Sequence, residues 1–226
     1  MWRTAPCGTG PFREIDMNRP DGFVGESLVV DSRDGGDKAA HAVSVFLFFT
    51  AADDERFSRA TQAACDGPWS HIGIGFTMSD GSRVYFEALL KRGFVGPRPF
   101  SGLVKWGLEK HHRFLVVELP ARLIINPQAI YEDALEMTAK WSGRHGYHAW
   151  QLASMWLFQR YGLPVPGSDG RVVCSEAVSR ILAAFSNVDL RDKRRASHDA
   201  VNPVSAFVRI LAYLQGLENV DAPVST

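Results

Sequence analysis

A cysteine in the second half of the chain lies where the sequence changes from strand-like to helical spacing. Cys174 follows two β-branched residues, and the segment after it places apolar residues on one face of a 3.6-residue period. These residues are Val178, Ile181, Leu182 and Phe185. We therefore expect Cys174 at or just inside a helix N-terminus, where unpaired N–H groups and the helix dipole stabilise a nucleophilic thiolate. The alternative is a small buried hydrophobe, because that is the usual role of a free cysteine.

A histidine and a glutamate lie on the two strands of one predicted β-hairpin. Residues 71–76 alternate with the period of a strand, and two glycines near His71 leave room for close approach to the backbone. An Asp-Gly pair at 80–81 is a strong turn signal before the return strand 83–88, which contains Glu87. The two side chains can lie together on one face, where a carboxylate fixes the imidazole tautomer and stabilises its charged form. A catalytic base is oriented in this way.

In chain order, these segments resemble the signatures of one family, the circularly permuted relatives of NlpC-type cysteine peptidases (YiiX/YaeF-like papain-fold hydrolases). That family has S/T-H-[IV]-G-[IV], then a strand ending in E-A, then C-S-E. Here the corresponding segments are SHIGI at 70–74, FEA at 86–88 and CSE at 174–176, within a resemblance over about residues 43–208. The resemblance implies an α+β, papain-like (permuted NlpC-type) fold. In it an antiparallel sheet or barrel carrying the histidine and glutamate packs on helices, with the cysteine at a helix N-terminus.

The same resemblance implies a thiol hydrolase, of the cysteine peptidase or amidase class, that cleaves an amide or ester through a thioester acyl-enzyme. Cys174 is then the nucleophile, His71 the general base and Glu87 its orienting partner, and no metal or organic cofactor is needed. We expect Ser175 and Glu176 at the substrate or oxyanion wall. By the same match, Glu176 is a structural or wall residue and not the acid of the triad.

A tyrosine is also expected near the site from this match. In the family a tyrosine followed by aspartate occurs in this region, whereas here Tyr147 is followed by His148. We expect the Tyr147 hydroxyl to contribute to the oxyanion pocket. The segment from Tyr147 to the cysteine is longer than in the family, so the detailed shape of the cleft is expected to differ.

The composition argues against several other classes of function. Acidic and basic residues number 25 each, so the chain has no electrostatic footprint for nucleic acid. No segment approaches the roughly 18 apolar residues of a membrane span. The N-terminus has no apolar signal-peptide core, so a cytoplasmic protein is the default expectation. The three cysteines are far apart and form no CxxC pair, which argues against a disulfide framework or a Cys-rich zinc site.

Three regions are predicted along the chain. Residues 1–41 form a loop-rich N-terminal arm, 42–218 a single catalytic domain and 219–226 a flexible tail. Within the arm, only 22–24 and 27–30 have the composition of short strands. Besides the hairpin and the cysteine helix, the domain is predicted to contain strands at 42–49 and 113–119 and helices at 53–65, 126–142, 147–158 and 203–215.

The helix at 53–65 is expected to begin with acidic residues in its first turn and to give the histidine strand a partner layer. Its spacing places Phe57, Ala60 and Ala64 on one face, and Cys65 is expected in the core.

The segment at 90–100 is punctuated by glycine and proline and is predicted to be a loop that walls the cleft. Lys91, Arg92 and Arg98 in this segment could bind an acidic group of the substrate. Solvated surface charge is the commoner role of such residues.

Several functional alternatives stay open. An acyltransferase of the lecithin:retinol acyltransferase type forms the same thioester but passes the acyl group to an alcohol or amine. A non-catalytic binding module could retain the fold. A metal hydrolase using His71, Glu87 and His148 is a weaker alternative. His145 and His148, three residues apart, could also share a helix face and bind a metal, but Gly146 between them and the lack of a third nearby ligand favour loop or surface histidines. The substrate could be a small molecule, a peptide or a lipid amide, since all suit this chemistry.

Overall fold

The computed structural model describes residues 12–14, 40–89, 92–143, 174–191 and 201–216. They form an antiparallel sheet packed against helices, so the predicted α+β class is confirmed. The strands are β1 (Phe12–Glu14), β2 (Ala42–Ala51), β3 (His71–Met78), β4 (Arg83–Leu89), β5 (Gly93–Pro99) and β6 (Arg113–Glu118). The helices are α1 (Arg56–Cys65), α2 (Phe100–Glu109), α3 (Pro127–Trp141), α4 (Cys174–Phe185) and α5 (Pro203–Leu214), with a 3₁₀ turn at Ala121–Leu123.

The sheet has the strand order β1-β6-β2-β3-β4-β5, and every neighbouring pair is antiparallel. Strands β2 and β3 therefore lie in the middle, and β5 forms one edge. The near-continuous apolar sequence of β2 predicts burial on both faces, and residues 45–51 are all buried.

Alternate side chains of β2 contribute to two separate hydrophobic clusters on the two faces of the sheet. Val45, Leu47 and Phe49 belong to a large core that also contains residues of α3, α4 and α5. Phe46 and Phe48 belong to a smaller cluster with residues of α2 and β6. The period of two along a strand thus builds a layer of helices on each side of the sheet.

The β3–β4 hairpin forms where the sequence predicts it. Gly81 adopts a φ of 82° in the turn, a conformation that favours glycine. The room left by the glycines of β3 is filled by aromatic rings of β2. A Cβ atom at Gly73 would lie 2.1 Å from Cζ of Phe48, and one at Gly75 would lie 2.1 Å from Cζ of Phe46. The hairpin that carries His71 is therefore packed tightly against β2.

Helices α3, α4 and α5 follow the predicted pattern. The side chain of Asn126 accepts a hydrogen bond from the N–H of Ala129, and Pro127 occupies the first turn of α3. Asn202 caps α5 through a capping box with Ser205. The buried stripe predicted for the cysteine helix is present in α4, where Val178, Ile181 and Leu182 are at most 1% exposed.

The prediction of a loop at 90–100 is wrong for most of that segment. Residues 93–99 form β5, and α2 begins directly after it at Phe100. Pro97 and Pro99 are compatible with a strand at the edge of the sheet, because one side of an edge strand needs no N–H donor. Arg98 is therefore held by a strand beside β4.

The predicted start and buried face of the first helix are also wrong. Helix α1 begins at Arg56, after the acidic residues, and its buried residues are Ser58, Thr61 and Cys65. Phe57 is 45% exposed. The buried face is polar because it joins a hydrogen-bond network: the Ser58 hydroxyl accepts from the N–H of Ala52 and lies 2.7 Å from the Ser70 hydroxyl.

The N-terminal arm contains a strand that the sequence did not indicate. Strand β1 pairs with β6, outside the two segments expected to be strands. Residues 1–11 and 15–39 of the arm lie outside the described residues. The same holds for residues 144–173, which include the predicted helix at 147–158, and for the predicted tail at 219–226. The division of the chain into arm, domain and tail stays a prediction.

Candidate catalytic site

His71 and Glu87 are in contact on adjacent strands. Nε2 of His71 lies 3.1 Å from Oε2 of Glu87, as the predicted hairpin requires. The Glu87 side chain is 8% exposed and that of His71 is 19% exposed. A buried carboxylate needs hydrogen-bond donors, and Oε1 of Glu87 accepts a second one from Nη1 of Arg98 at 3.3 Å. Glu87 thus links the imidazole to a guanidinium.

Cys174 is the first residue of α4 and interacts with the His71 side chain through charge and a hydrogen bond. His71 is itself the first residue of β3, so the two groups meet where a strand and a helix begin. Since Glu87 occupies Nε2, Nδ1 is the ring nitrogen that remains for the thiol. Protein atoms enclose Cys174, which is only 3% exposed.

The electrostatics of this group favour a charged imidazole. Burial alone would lower the pKa of His71, but the charge and hydrogen bond of Cys174, followed by those of Glu87, raise it from 6.5 to about 10. A proton on the imidazole at neutral pH requires negative partners, and a thiolate at Cys174 would be one of them. The start of a helix also favours negative charge on that sulfur.

A second cysteine lies near the first but has different chemistry. Cys65 ends α1 and is 2% exposed, so the prediction of a core residue is confirmed. Burial and the neighbouring charge of Cys174 raise the pKa of the Cys65 thiol to about 12. Cys65 therefore stays a neutral thiol at physiological pH and is a poor nucleophile.

The side chains of Ser175 and Glu176 are buried, and their expected place at the substrate or oxyanion wall stays a prediction. Ser175 is fully buried, and its hydroxyl donates to the carbonyl of Val201 at 2.5 Å. Glu176 is 1% exposed and pairs with Arg180 one helical turn later. Successive helical residues point in directions about 100° apart, so neighbours of Cys174 face other surroundings. Their backbone N–H groups still belong to the first turn, which has no intrahelical acceptors.

Tyr147, His145 and His148 lie outside the described residues. Within the ranges that the structure does describe, no group of three or more His, Cys, Asp and Glu side chains is arranged to hold a metal ion. Over the same ranges, no helix has the length and hydrophobicity needed to cross a bilayer.

Two adjoining pockets open at the histidine and the glutamate. The first has a volume of about 200 Å³ and includes His71 and Glu87. The second, of about 400 Å³, includes Arg92 and Arg98. Both pockets share the side chains of Glu87, Leu89, Leu103 and Trp106. The candidate site is therefore a two-part cleft with Glu87 at the junction.

Sequence reasoning missed Trp106 as a wall of this cleft, because α2 was not predicted. A signal was present: the buried residues Phe100, Leu103, Val104 and Gly107 follow the i, i+3, i+4, i+7 spacing of a helix. Trp106 falls outside this stripe and is 45% exposed, with its ring 4.4 Å from the ring of His112. Phe57, expected on a packed face, also lines the first pocket.

No family model matches this chain, and neither a curated protein nor a solved structure is significantly similar to it. Function must therefore be inferred from the arrangement of these side chains.

Proposed function

We propose that the protein is a cysteine hydrolase that cleaves an amide or ester through a thioester at Cys174. The observation that supports this most strongly is the convergence of Cys174 and Glu87 on one imidazole, that of His71. A nucleophile, a base and an acid that orients the base form the pattern of a catalytic triad. We also propose the permuted papain-like architecture, because the strand with the histidine precedes the helix with the cysteine in the chain.

The first half of the reaction forms the acyl-enzyme. His71 takes the proton of the Cys174 thiol, and the resulting thiolate attacks the substrate carbonyl. The negative oxygen of the tetrahedral intermediate accepts hydrogen bonds from N–H groups in the first turn of α4, each worth roughly 3 kcal/mol of barrier. The C–N or C–O bond then breaks, and the His71 imidazolium gives its proton to the departing amine or alkoxide.

The second half of the reaction restores the thiol. His71 accepts a proton from a water molecule, whose oxygen attacks the thioester carbonyl. The C–S bond breaks, the carboxylic acid leaves, and the sulfur recovers the proton from His71. Glu87 stabilises the imidazolium in both halves, and the Arg98 guanidinium donates a hydrogen bond to the Glu87 side chain.

The acyl-enzyme itself provides the test. The protein would be mixed with para-nitrophenyl esters and para-nitroanilides of short acids, quenched in acid, digested and examined by mass spectrometry. We expect acylation on the peptide containing Cys174, and we expect its loss in Cys174→Ala. A Cys65→Ala variant serves as the matched thiol control and should still be acylated. Turnover that persists in Cys174→Ala would contradict the proposal.

The same experiment separates the two other candidate functions. An acyltransferase would form the thioester but release it faster when an alcohol or amine acceptor is added, and the product would carry that acceptor. A binding module would form no thioester with any ester or anilide. We propose hydrolysis because water needs no dedicated acceptor site, and the substrate classes that fit are small-molecule, peptide and lipid amides or esters.

A further inference from the structure

The second pocket of the cleft has a charge that the proposed thiol chemistry does not require. It lies between β4, the edge strand β5 and helix α2, and its nine lining residues include two cationic side chains and one anionic side chain. The cations are Arg92 and Arg98, and the anion is Glu87. Because Glu87 also belongs to the pocket of His71, a ligand in the second pocket would lie next to the carboxylate that contacts His71.

Arg98 is held in place but retains unused donors. Its Nη1 lies 3.3 Å from Glu87, and its guanidinium lies 5.6 Å from the centre of the Tyr85 ring. The side chain remains 45% exposed. A guanidinium has five N–H donors, so one long hydrogen bond to Glu87 leaves a planar edge available to a ligand.

Arg92 brings a second cation to the same pocket. Its backbone is fixed on both sides: its N–H donates to the carbonyl of Leu89, and its carbonyl accepts from the N–H of Gly143. In the portion of the chain that the structure describes, no acidic side chain forms an ion pair with Arg92. Arg92 thus lines the pocket from an anchored backbone, and its charge has no acidic partner among the described residues.

We infer that this pocket is a carboxylate-binding subsite, so that the substrate carries a free carboxylate a few bonds from the carbonyl that Cys174 attacks. Among the described lining residues, two arginines against one glutamate leave a net charge that matches a monoanion. A guanidinium binds a planar carboxylate through two parallel hydrogen bonds. The other lining residues include Leu89, Leu103 and Trp106, whose apolar side chains suit a short hydrocarbon chain that links the two groups. This inference rests on the proposed thiol chemistry for the reaction but not for binding.

Binding is measured first, with a protein that cannot react. Isothermal titration calorimetry on Cys174→Ala would use monomethyl succinate as the carboxylate probe, neutral dimethyl succinate of similar size, and inorganic phosphate. We expect the monoester to bind at least about tenfold more tightly than the diester, as a charged hydrogen-bond pair allows. Equal affinities would overturn the inference. Phosphate binding more tightly than the monoester would overturn the choice of carboxylate.

Variants then locate the effect. Arg92→Gln and Arg98→Gln should each weaken binding of the monoester about tenfold without weakening that of the diester. Lys105→Gln is the matched control, because Lys105 is exposed on α2 and lines neither pocket. Arg98→Lys keeps the charge but loses the paired N–H donors of the guanidinium, so we expect an intermediate affinity. Thermal unfolding of each variant checks that the protein is folded. Equal losses in Lys105→Gln and Arg92→Gln would contradict the assignment.

Turnover separates this inference from the proposed function. The para-nitroanilides of succinic and butyric acid have acyl chains of equal length, and only the succinyl chain ends in a carboxylate. We expect kcat/KM to favour the succinyl substrate about tenfold or more, and the ratio to fall in Arg92→Gln. Turnover of both at equal rates would refute the subsite but keep the hydrolase. Carboxylate binding that depends on the arginines without any thioester chemistry would refute the hydrolase but keep the subsite.

Discussion

Nε2 of His71 lies 3.1 Å from Oε2 of Glu87, and this contact joins two neighbouring strands of the sheet. Glu87 is buried at the junction of two pockets, one containing His71 and the other containing Arg98. The carboxylate therefore has two tasks: it stabilises the charge on His71, and it holds a guanidinium at the adjoining pocket. In the proposed reaction, a substitution at Glu87 should therefore act most directly on the pKa and orientation of His71, the general base.

Replacing Glu87 by glutamine tests this relationship. Glu87→Gln keeps the size of the side chain but removes the charge that helps to raise the His71 pKa, so that pKa should fall. We expect kcat/KM to fall by about 10²-fold, within the range of an oriented acid–base group. The measurement is kcat/KM on a para-nitroanilide, together with the His71 pKa from NMR.

The matched control for this substitution is Glu118→Gln. Glu118 lies at the end of β6, its side chain is 48% exposed and it pairs with Arg83. We expect this variant to keep its activity, because surface ion pairs contribute little. A Glu87→Gln variant as active as Glu118→Gln would remove Glu87 from the mechanism.

The pH dependence of activity follows from the raised pKa of His71. The imidazolium must be present to protonate the leaving group, and its folded-state pKa of about 10 lies above the ordinary 6.5. A raised pKa means that the proton stays on His71 through neutral pH and is lost as the pH rises through about 10. We expect the alkaline limb of kcat/KM to have its midpoint near that value. An alkaline limb centred near 6.5 would show an unperturbed histidine.

Gly73→Ala tests the packing that positions the hairpin. The added Cβ would lie 2.1 Å from a ring carbon of Phe48 and 2.8 Å from the carbonyl oxygen of Phe86, so a buried ring or the backbone must move. We expect the free energy of unfolding in urea to fall by about 1–3 kcal/mol, as for other overpacked cores. Activity should also fall, because His71 lies two residues away on the same strand face.

A second glycine provides the control for that substitution. Gly102 is in α2, and no atom lies within 4 Å of the position that a Cβ would take. Gly102→Ala should leave stability unchanged or raise it by up to about 1 kcal/mol, because alanine favours a helix. Equal stabilities of the two variants would show that the close approach of Phe48 does not constrain the hairpin.

Elements with strong local signals could be predicted from the sequence. The Asp-Gly turn, the proline after Asn126 and the apolar spacing after Cys174 each gave the correct element within a few residues. The contact between His71 and Glu87 was predictable for the same reason, because a tight turn fixes the register of two adjacent strands. The approach of Cys174 to this hairpin has no local signal. From the sequence, only the resemblance to a known family indicated that Cys174 lies close to the hairpin.

Other features depend on tertiary surroundings that a single sequence does not show. β5 contains glycine and two prolines and looks like a loop, but its place at the edge of the sheet removes the penalty for proline. Helix α1 buries Ser58 because Ala52 and Ser70, outside the helix, supply its hydrogen-bond partners. It buries Thr61 because that hydroxyl donates to the carbonyl of Phe57 one turn earlier, while the Phe57 side chain is left at the pocket. The apolar spacing of a helix does not show such hydrogen-bond partners, and burial of a polar side chain depends on them.

In the proposed mechanism His71 holds Cys174 as a thiolate, and the most direct measurement of this is the rate of alkylation by iodoacetamide as a function of pH. Peptide mass spectrometry would follow Cys174 and Cys65 separately in the native protein. We expect Cys174 to react rapidly even well below the ordinary cysteine pKa of about 8.5, and His71→Ala to slow it at least about tenfold there. Cys65, with a pKa of about 12, should stay unmodified. Slow and equal labelling of both cysteines, unchanged in His71→Ala, would contradict the proposed thiolate–imidazolium pair.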